Sequence, residues 1–315
     1  GTYCAGWSIM SGFFKMGLTS FHLHGMEAAA KLRLMQRFKP HYIWLTPPYL
    51  TRLTVLCREQ GIDPRAAFST LKSITVATEA FPVSWAQEME EFWGTRLHEM
   101  YGSTQGAGLV AGTCELGALL PNGERGSLHC LDHYFLIEVI DPDTGHHVKA
   151  GEEGEVILTA LDQEASPVIR FRTRDRVRFL TYDRCDCGRP LNIWESGTIT
   201  RYDDMLKIRG MNVWPSAVDG VVFAHKEADE YVGRVAIDQE GKEQVVVSLA
   251  LKSEAAGLAP AERAGLLRRI GEELKAATGV SMELQEVRRT ELPTFEFKSR
   301  RWIDERQKGL KRGAS

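Results

Sequence analysis

No run of about 18 apolar residues occurs in this chain, so nothing in it is long enough to cross a bilayer as a helix. The first residues also lack the charged-then-apolar pattern of a secretory signal. Cysteine is scarce, six in 315 residues at uneven spacing. That excludes a disulfide scaffold and leaves reduced thiols or metal ligands in a cytoplasmic protein. Neither sign of charge dominates: 42 Asp and Glu against 39 Lys and Arg give a formal charge of -3. Bulk electrostatics therefore favour neither nucleic acid nor an anionic membrane as partner. The densest basic stretch, Lys298, Arg300, Arg301, Arg306, Lys308, Lys311 and Arg312, reads first as a solvated helix face. Internal repeats and low-complexity tracts are absent. No glycine-rich phosphate loop follows the abrupt opening Gly1-Thr2-Tyr3, and the expectation is of a fragment that starts inside a domain.

What is present fits a globular protein with core enough for a large enzyme. Hydrophobic residues make up 43% and charged ones 26%, in a chain longer than one hydrophobic core usually supports, so two or more domains are expected. Helical spacing at 26–38 is followed by an apolar strand at 42–45, a helix at 49–60, a strand at 73–77 and a helix at 84–93. Such alternation predicts a parallel sheet flanked by helices. Between 106 and 197 the texture changes to short strands broken by turns, with 135–140 and 155–159 the clearest. Beyond Arg201, strands at 231–237 and 244–251 and a helix at 260–278 predict a smaller module. The expected fold class is α/β. A large domain covers 1–200, with its sheet part at 1–105 and a β-rich subdomain at 106–200, and a small α+β domain covers 201–315.

Three segments carry chemistry. In the segment 98–105, Tyr101-Gly102-Ser103-Thr104 forms a small hydroxyl-bearing turn that lets backbone N–H groups and the Thr104 hydroxyl approach a phosphate, although the same residues suit a plain turn. The arginine-dense segment 168–175 sets one carboxylate, Asp175, at the end of a strand. There it can accept hydrogen bonds from two ribose hydroxyls, or simply join a salt-bridged surface. The segment 200–215 leads from Arg201, Asp203 and Asp204 through a strand into a loop with Gly210, at the point where the texture changes, so Asp203 can act as a hinge.

In order and separation these segments resemble the adenylate-forming superfamily, and in particular its phenylacetate-CoA ligase branch. The likeness extends to Thr46-Pro47-Pro48-Tyr49, similar to that family's Thr-Pro-Ser-Tyr, and to residues 164–170, similar to its Glu-Ala-x-Pro-x-Ile-Arg. It implies a two-domain enzyme whose small C-terminal lid rotates between ATP-dependent adenylation of a carboxylic acid and transfer of the acyl group to CoA. By the resemblance, Asp175 grips the ribose, Tyr101, Gly102, Ser103 and Thr104 hold the nucleotide, Glu79 lines the adenine pocket, Arg201 lies near ribose or phosphate, and Asp203 is the pivot. Lys298 takes the place of the lid lysine that contacts the carboxylate and α-phosphate, so catalysis is assigned to Lys298, Thr104 and Arg201. The loop at 209–215 is implied as the entry of the CoA thiol, through Arg209, Gly210 and Asn212. The acid is implied among the aromatic residues Tyr3, Trp7, Tyr49 and Phe81, which suit an aryl substrate.

Two positions depart from the family. Gln105 stands where relatives carry a glutamate that ligates magnesium, so Mg2+ is expected to rest mainly on ATP phosphates and Thr104. Phe297 replaces the glycine beside the lysine. The family's Ser-Gly-Thr-Thr-Gly phosphate loop would precede Gly1, and its loss by truncation or proteolysis, or its residence on another chain, is expected. Cys185-Asp186-Cys187-Gly188 reads as a metal knuckle. Some relatives with this element hold a structural Zn2+ by three Cys and one His, which implies Cys114, His129, Cys185 and Cys187 here, with Cys130 and His133 as substitutes and buried reduced thiols as the alternative. The partners expected are an aromatic carboxylic acid, ATP and CoA, and a second copy of the chain in a homodimer. A carrier-protein or other non-CoA acceptor, and a non-catalytic homologue, are the competing readings.

Overall fold

The protein is described here from a computed structural model that covers residues 4–106, 108–181, 184–238, 240, 242–295 and 299–306. Tyr3 and Lys298 of the expected site lie outside the described residues. The chain divides into two units, Gly1–Tyr202 and Asp203–Ser315.

The first unit opens with α1 (Cys4–Lys15), α2 (Ala28–Phe38), β1 (Tyr42–Leu45), α3 (Pro47–Glu59), the short α4 (Pro64–Ala67), β2 (Ser73–Ala77), α5 (Val83–Trp93) and β3 (Leu97–Ser103). Pro47 starts α3, where a missing N–H leaves no bond unmade. Leu50, Leu53, Leu56 and Cys57 then fall at helical spacing on its buried face. β1, β2 and β3 pair in parallel, with Leu45 opposite Val76 and Ala77 opposite Met100. The helices cover them by packing Leu32, Leu50, Met89 and Trp93 against Ile74 and Leu97.

The sheet then turns antiparallel through β4 (Gly108–Thr113), β5 (Ser127–Cys130), β6 (Phe135–Ile140), β7 (Glu153–Ala160), β8 (Phe171–Leu180), β9 (Ile193–Glu195) and β10 (Thr200–Arg201). Among the described residues its order is β1-β2-β3-β4-β5-β9-β8-β7-β6, with β10 paired to β8. Val110, Leu128, Val156, Leu158, Val177 and Trp194 form a second core there.

The second unit holds the hairpin β11 (Leu206–Ile208) and β12 (Met211–Val213), then α6 (Pro215–Val222), β13 (Ala228–Ile237), β14 (Glu243–Leu251), α7 (Pro260–Thr278), β15 (Glu283–Glu286) and β16 (Trp302–Asp304). Its sheet runs β15-β14-β13-β16 among the described residues. Leu266, Ile270 and Leu274, spaced four apart on α7, pack with Val218 and Val222 of α6 on Val235, Val247 and Leu249.

The strand positions match the sequence expectation closely, and the helices start within two residues of it. α1 was not anticipated: residues 4–15 hold no capping signal, although Gly6 and Gly12 do not prevent the helix. Among the described residues no helix is long and apolar enough to cross a membrane.

Candidate active site

The carboxyl ends of parallel strands are where an open α/β sheet leaves a ligand crevice. The three parallel strands deliver three of the singled-out segments to that edge. β1 ends into Thr46-Pro47-Pro48-Tyr49, β2 into Thr78 and Glu79, and β3 into the 101–105 turn. Thr78 has φ 85°, a region that a β-branched residue rarely occupies. It turns the chain sharply out of β2 into the loop with half-buried Glu79. Gly102 is fixed by contact: a Cβ there would sit 2.5 Å from the Gly108 carbonyl oxygen, so only glycine lets β3 and β4 approach this closely. Thr104 and Gln105 are exposed beyond it, and the Ser103 hydroxyl donates to Gln105 Oε1 at 2.9 Å.

Tyr101, Asp175 and Arg201 come together across β3, β8 and β10. The Tyr101 hydroxyl donates to Asp175 Oδ2 at 2.5 Å. Arg201 is the register partner of Asp175 on β10, and its Nη1 lies 3.4 Å from Oδ1. The Tyr101 ring is buried edge-on against Trp194, centroids 5.4 Å apart. Burial, and then the Asp175 charge, hold its phenol well above the usual tyrosine range, so it remains a donor. Asp175 lies within β8, on a bulge, which corrects the expectation that it ends a strand. The bulge turns it to face Tyr101 without ending the ladder.

Two residues before Tyr101 on the same face of β3, Glu99 is wholly buried. Its Oε2 accepts the Ser196 hydroxyl at 2.7 Å and the Gly197 N–H at 2.5 Å. Arg125 donates to the carbonyls of Ser196 and Phe81, each at 3.0 Å, so the cluster ties β3 to the turn after β9 and to the loop after β2. Sequence reasoning missed Glu99, although an acid at an inward position between Leu97 and Tyr101 is a usable signal.

Burial raises the Glu99 carboxyl from 4.5 to about 7, against its hydrogen bonds and the Arg125 charge. The folded value exceeds the unfolded one, so the native state binds the extra proton. The associated stability is full below about pH 4.5 and is lost as pH rises through 7. Glu99→Gln should therefore melt increasingly above wild type as pH goes from 5 to 8, with a ceiling of about 3 kcal/mol. A melting difference independent of pH would contradict this.

In the second unit, Arg209 (φ 49°) and Gly210 (φ 81°) form the two-residue turn between β11 and β12; positive φ at both is the hairpin geometry that suits a twisted ladder. The Arg209 N–H donates to Glu243 Oε2 at 2.5 Å, and its guanidinium donates to the carbonyls of Glu243 (2.8 Å) and Ser281 (3.4 Å). Its side chain thus braces the hairpin. Asn212 stands exposed on β12, paired with Lys207. Asp203, exposed, is the first residue of the second unit.

Of the expected acid pocket, Trp7 is 65% exposed, and Tyr49 is half-buried with Lys31 Nζ 4.2 Å above its ring. Phe81 is 3% exposed and packed 5.4 Å from Trp85, so its ring serves the core and not an open wall.

Cys114, His129, Cys185 and Cys187 present ligand atoms all within 4.8 Å of one another. Cys114 follows β4, His129 is on β5, and the two other cysteines are on the loop between β8 and β9. Cys114 Sγ and Cys185 Sγ are 3.7 Å apart, and Cys187 Sγ and His129 Nε2 are 3.5 Å apart. Tetrahedral zinc, with bonds of about 2.3 Å to sulfur and about 2.0 Å to nitrogen, requires edges of about 3.8 Å and about 3.5 Å. The cluster therefore fits that ion. Burial pushes the Cys114 thiol up to about 12 and raises that of Cys185, so holding them as thiolates takes a nearby cation. Cys130 faces the core around Val110 and Trp194, because alternation along β5 turns it away from His129. Neither it nor His133 joins the group.

Residues 2–160 match the AMP-binding enzyme family, and residues 210–306 match the AMP-binding enzyme C-terminal domain. The chain is 30% identical over 243 residues to the phenylacetate-coenzyme A ligase of Thermus thermophilus, which covers 76% of this chain and 52% of that relative. It is also 30% identical over 288 residues to the phenylacetate-coenzyme A ligase of Aromatoleum evansii, covering 90% of this chain and 62% of the relative. The chain thus spans between half and two thirds of the length of these curated relatives. In fold it is similar to a 2-hydroxyisobutyryl-CoA ligase solved with 2-HIB-AMP in the postadenylation state: TM-score 0.83 at 21% identity, over 98% of this chain and 65% of that one. An anthranilate CoA ligase in complex with anthranoyl-AMP gives a TM-score of 0.59 at 21% identity, over 94% and 54%.

Proposed function

Because the chain belongs to the AMP-binding enzyme family, we propose that it serves AMP-forming activation of an aryl or arylalkyl carboxylic acid and transfer of the acyl group to CoA. The observation that carries this reading is the grouping of Tyr101, Asp175 and Arg201 beside the carboxyl ends of β1, β2 and β3. Each oxygen of a carboxylate accepts two hydrogen bonds, so Asp175 can keep its protein partners and take ribose hydroxyls as well. Arg201 then supplies positive charge beside the nucleotide, and the Gly102–Thr104 turn offers N–H and hydroxyl donors to phosphate. The Mg2+ that accompanies ATP meets neutral oxygens there, the Thr104 hydroxyl and the Gln105 amide, a weaker donor set than a carboxylate.

The acid's carboxylate oxygen attacks the α-phosphorus, the bond from that phosphorus to its bridging oxygen breaks, and pyrophosphate leaves. The CoA thiol, its proton lost to water, then attacks the acyl carbon and AMP departs. Lys298 is assigned to the negative charge that grows at the α-phosphorus, Asp203 to the pivot of the second unit, and the Arg209–Asn212 turn to the acceptor side. Aryl acids are favoured because the two curated relatives named above are phenylacetate-coenzyme A ligases. In the full-length enzyme, ATP, CoA and a panel of aryl acids should yield AMP, pyrophosphate and thioester in equal amounts by mass spectrometry. Folded enzyme that releases no pyrophosphate with any acid would overturn the proposal.

The Cys114, His129, Cys185 and Cys187 group is assigned to a structural Zn2+, since four protein ligands close the coordination shell and leave no position for substrate. It would pin the end of β4, β5 and the 185–188 knuckle together. Purified protein should carry about one zinc per chain, and chelation should lower the melting temperature. Less than about half an equivalent by elemental analysis would count against the metal.

A further inference from the structure

Asp175 owes its direction to an irregularity in β8. Against β7, Leu158 pairs with Phe171 and Ile157 with Arg172, but the next pairs are Glu155 with Arg176 and Gly154 with Val177. Between Arg172 and Arg176 the strand therefore carries two more residues than its partner, and Thr173, Arg174 and Asp175 bulge from the ladder. Arg174 sits in the bulge at φ 64°, a left-handed conformation that arginine adopts only where its surroundings impose it.

Two side chains impose it. Glu155, 0% exposed, accepts the Arg174 backbone N–H on Oε1 at 3.1 Å, while its Oε2 accepts the Arg172 guanidinium, with Nε at 3.0 Å and Nη2 also bonded. The buried Thr173 hydroxyl donates to the Val156 carbonyl at 2.9 Å and accepts the Asp175 N–H at 3.0 Å. An N–H inside a bulge has no ladder partner and must find another acceptor when buried. The Glu155 carboxylate supplies it, at the residue whose conformation decides which way the next one faces. A strand that lost this clamp would relax toward regular pairing, and the two-residue shift this needs would carry Asp175 about 7 Å along the ladder, away from its place beside Tyr101 and opposite Arg201.

We propose that Glu155, assisted by Thr173, is a positioning residue for the nucleotide site: it locks the β8 bulge so that Asp175 faces Tyr101 and Arg201. The proposal rests on the reading above that Asp175 holds the ribose. Glu155 has no exposed surface to offer a nucleotide, so it acts through Asp175.

The test uses the full-length enzyme and acid-dependent pyrophosphate exchange. Glu155→Gln keeps an oxygen for the Arg174 N–H and should leave the KM for ATP within about threefold of wild type. Glu155→Leu combined with Arg172→Leu removes the acceptor without stranding a guanidinium. It should raise the KM for ATP about tenfold or more, with the KM for the acid unchanged, which a general loss of folding would not do. Thr173→Val, which leaves the ion pair intact, should shift the same parameter in the same direction and serves if the double variant does not melt cooperatively. Asp175→Ala is the control. If it raises the KM for ATP while the folded Leu/Leu or Thr173→Val variant keeps the wild-type value, the positioning role is overturned. If Asp175→Ala itself leaves the KM for ATP unchanged, the ribose assignment fails and the Glu155 role falls with it.

Discussion

Replacing Arg301 by alanine should destabilise the second unit by about 3 kcal/mol or more, as expected when one partner of a buried ionic cluster is removed. The guanidinium forks onto Glu230, with Nε 2.6 Å from Oε1 and Nη2 3.2 Å from Oε2, and Nη1 lies 3.6 Å from Asp219 Oδ1. It also lies over the rings of Phe223 (4.9 Å), Phe295 (5.6 Å) and Tyr231 (5.7 Å), a face-on arrangement that favours a flat cation. Tyr231 donates to Asp219 at 2.7 Å and accepts the Trp302 indole N–H at 3.3 Å. Removing the cation leaves Glu230 and Asp219 facing each other with their countercharge gone. Arg301→Lys keeps the charge but loses the fork and most of the stacking, so its loss should be intermediate. Chemical denaturation of the three proteins checks this, and a change below about 1 kcal/mol for Arg301→Ala would mean that solvent already satisfies the carboxylates.

The second large effect concerns Lys298, three residues before Arg301 in the sequence. Lys298→Ala should slow adenylation by about 10²- to 10³-fold, the range for loss of one group that stabilises developing charge. Transfer of the acyl group from a preformed adenylate to CoA should stay within about threefold of wild type, because the reacting centre is then the acyl carbon and phosphorus forms no new bond. Single-turnover assays of the two half-reactions separate these outcomes. Equal losses in both would remove Lys298 from the chemistry of the first step.

Much of this was legible in the sequence because local patterns set it. The alternation of periods at 42–93 predicts the parallel β1–β3 arrangement, and the 101–105 turn falls where a strand must end. Tyr101 and Asp175 are distant in sequence and met only through the sheet order that places β8 two strands from β5. What was not legible depends on burial and register. Glu155 looks like any polar residue on a strand until β7 is covered on both faces, and Glu99 likewise. The bulge at Arg174 leaves no composition signal, since no glycine marks it. Arg209 reads as a ligand-facing cation in a glycine turn, and only the packing of β14 beside the hairpin shows its guanidinium held by the Glu243 carbonyl. The two-residue period of β5 assigns His129 and Cys130 to opposite faces, which leaves His129 and not Cys130 in the cluster with Cys114, Cys185 and Cys187.

Asp175 is the residue proposed to hold the nucleotide. A crystal structure of the full-length enzyme with a non-hydrolysable aryl-acyl sulfamoyladenosine tests it most directly. The expected result is both ribose hydroxyls within hydrogen-bonding distance of the Asp175 carboxylate, with the Tyr101 contact kept and Arg201 beside the nucleotide. A nucleotide bound elsewhere, or a ribose that Asp175 does not reach, would contradict it.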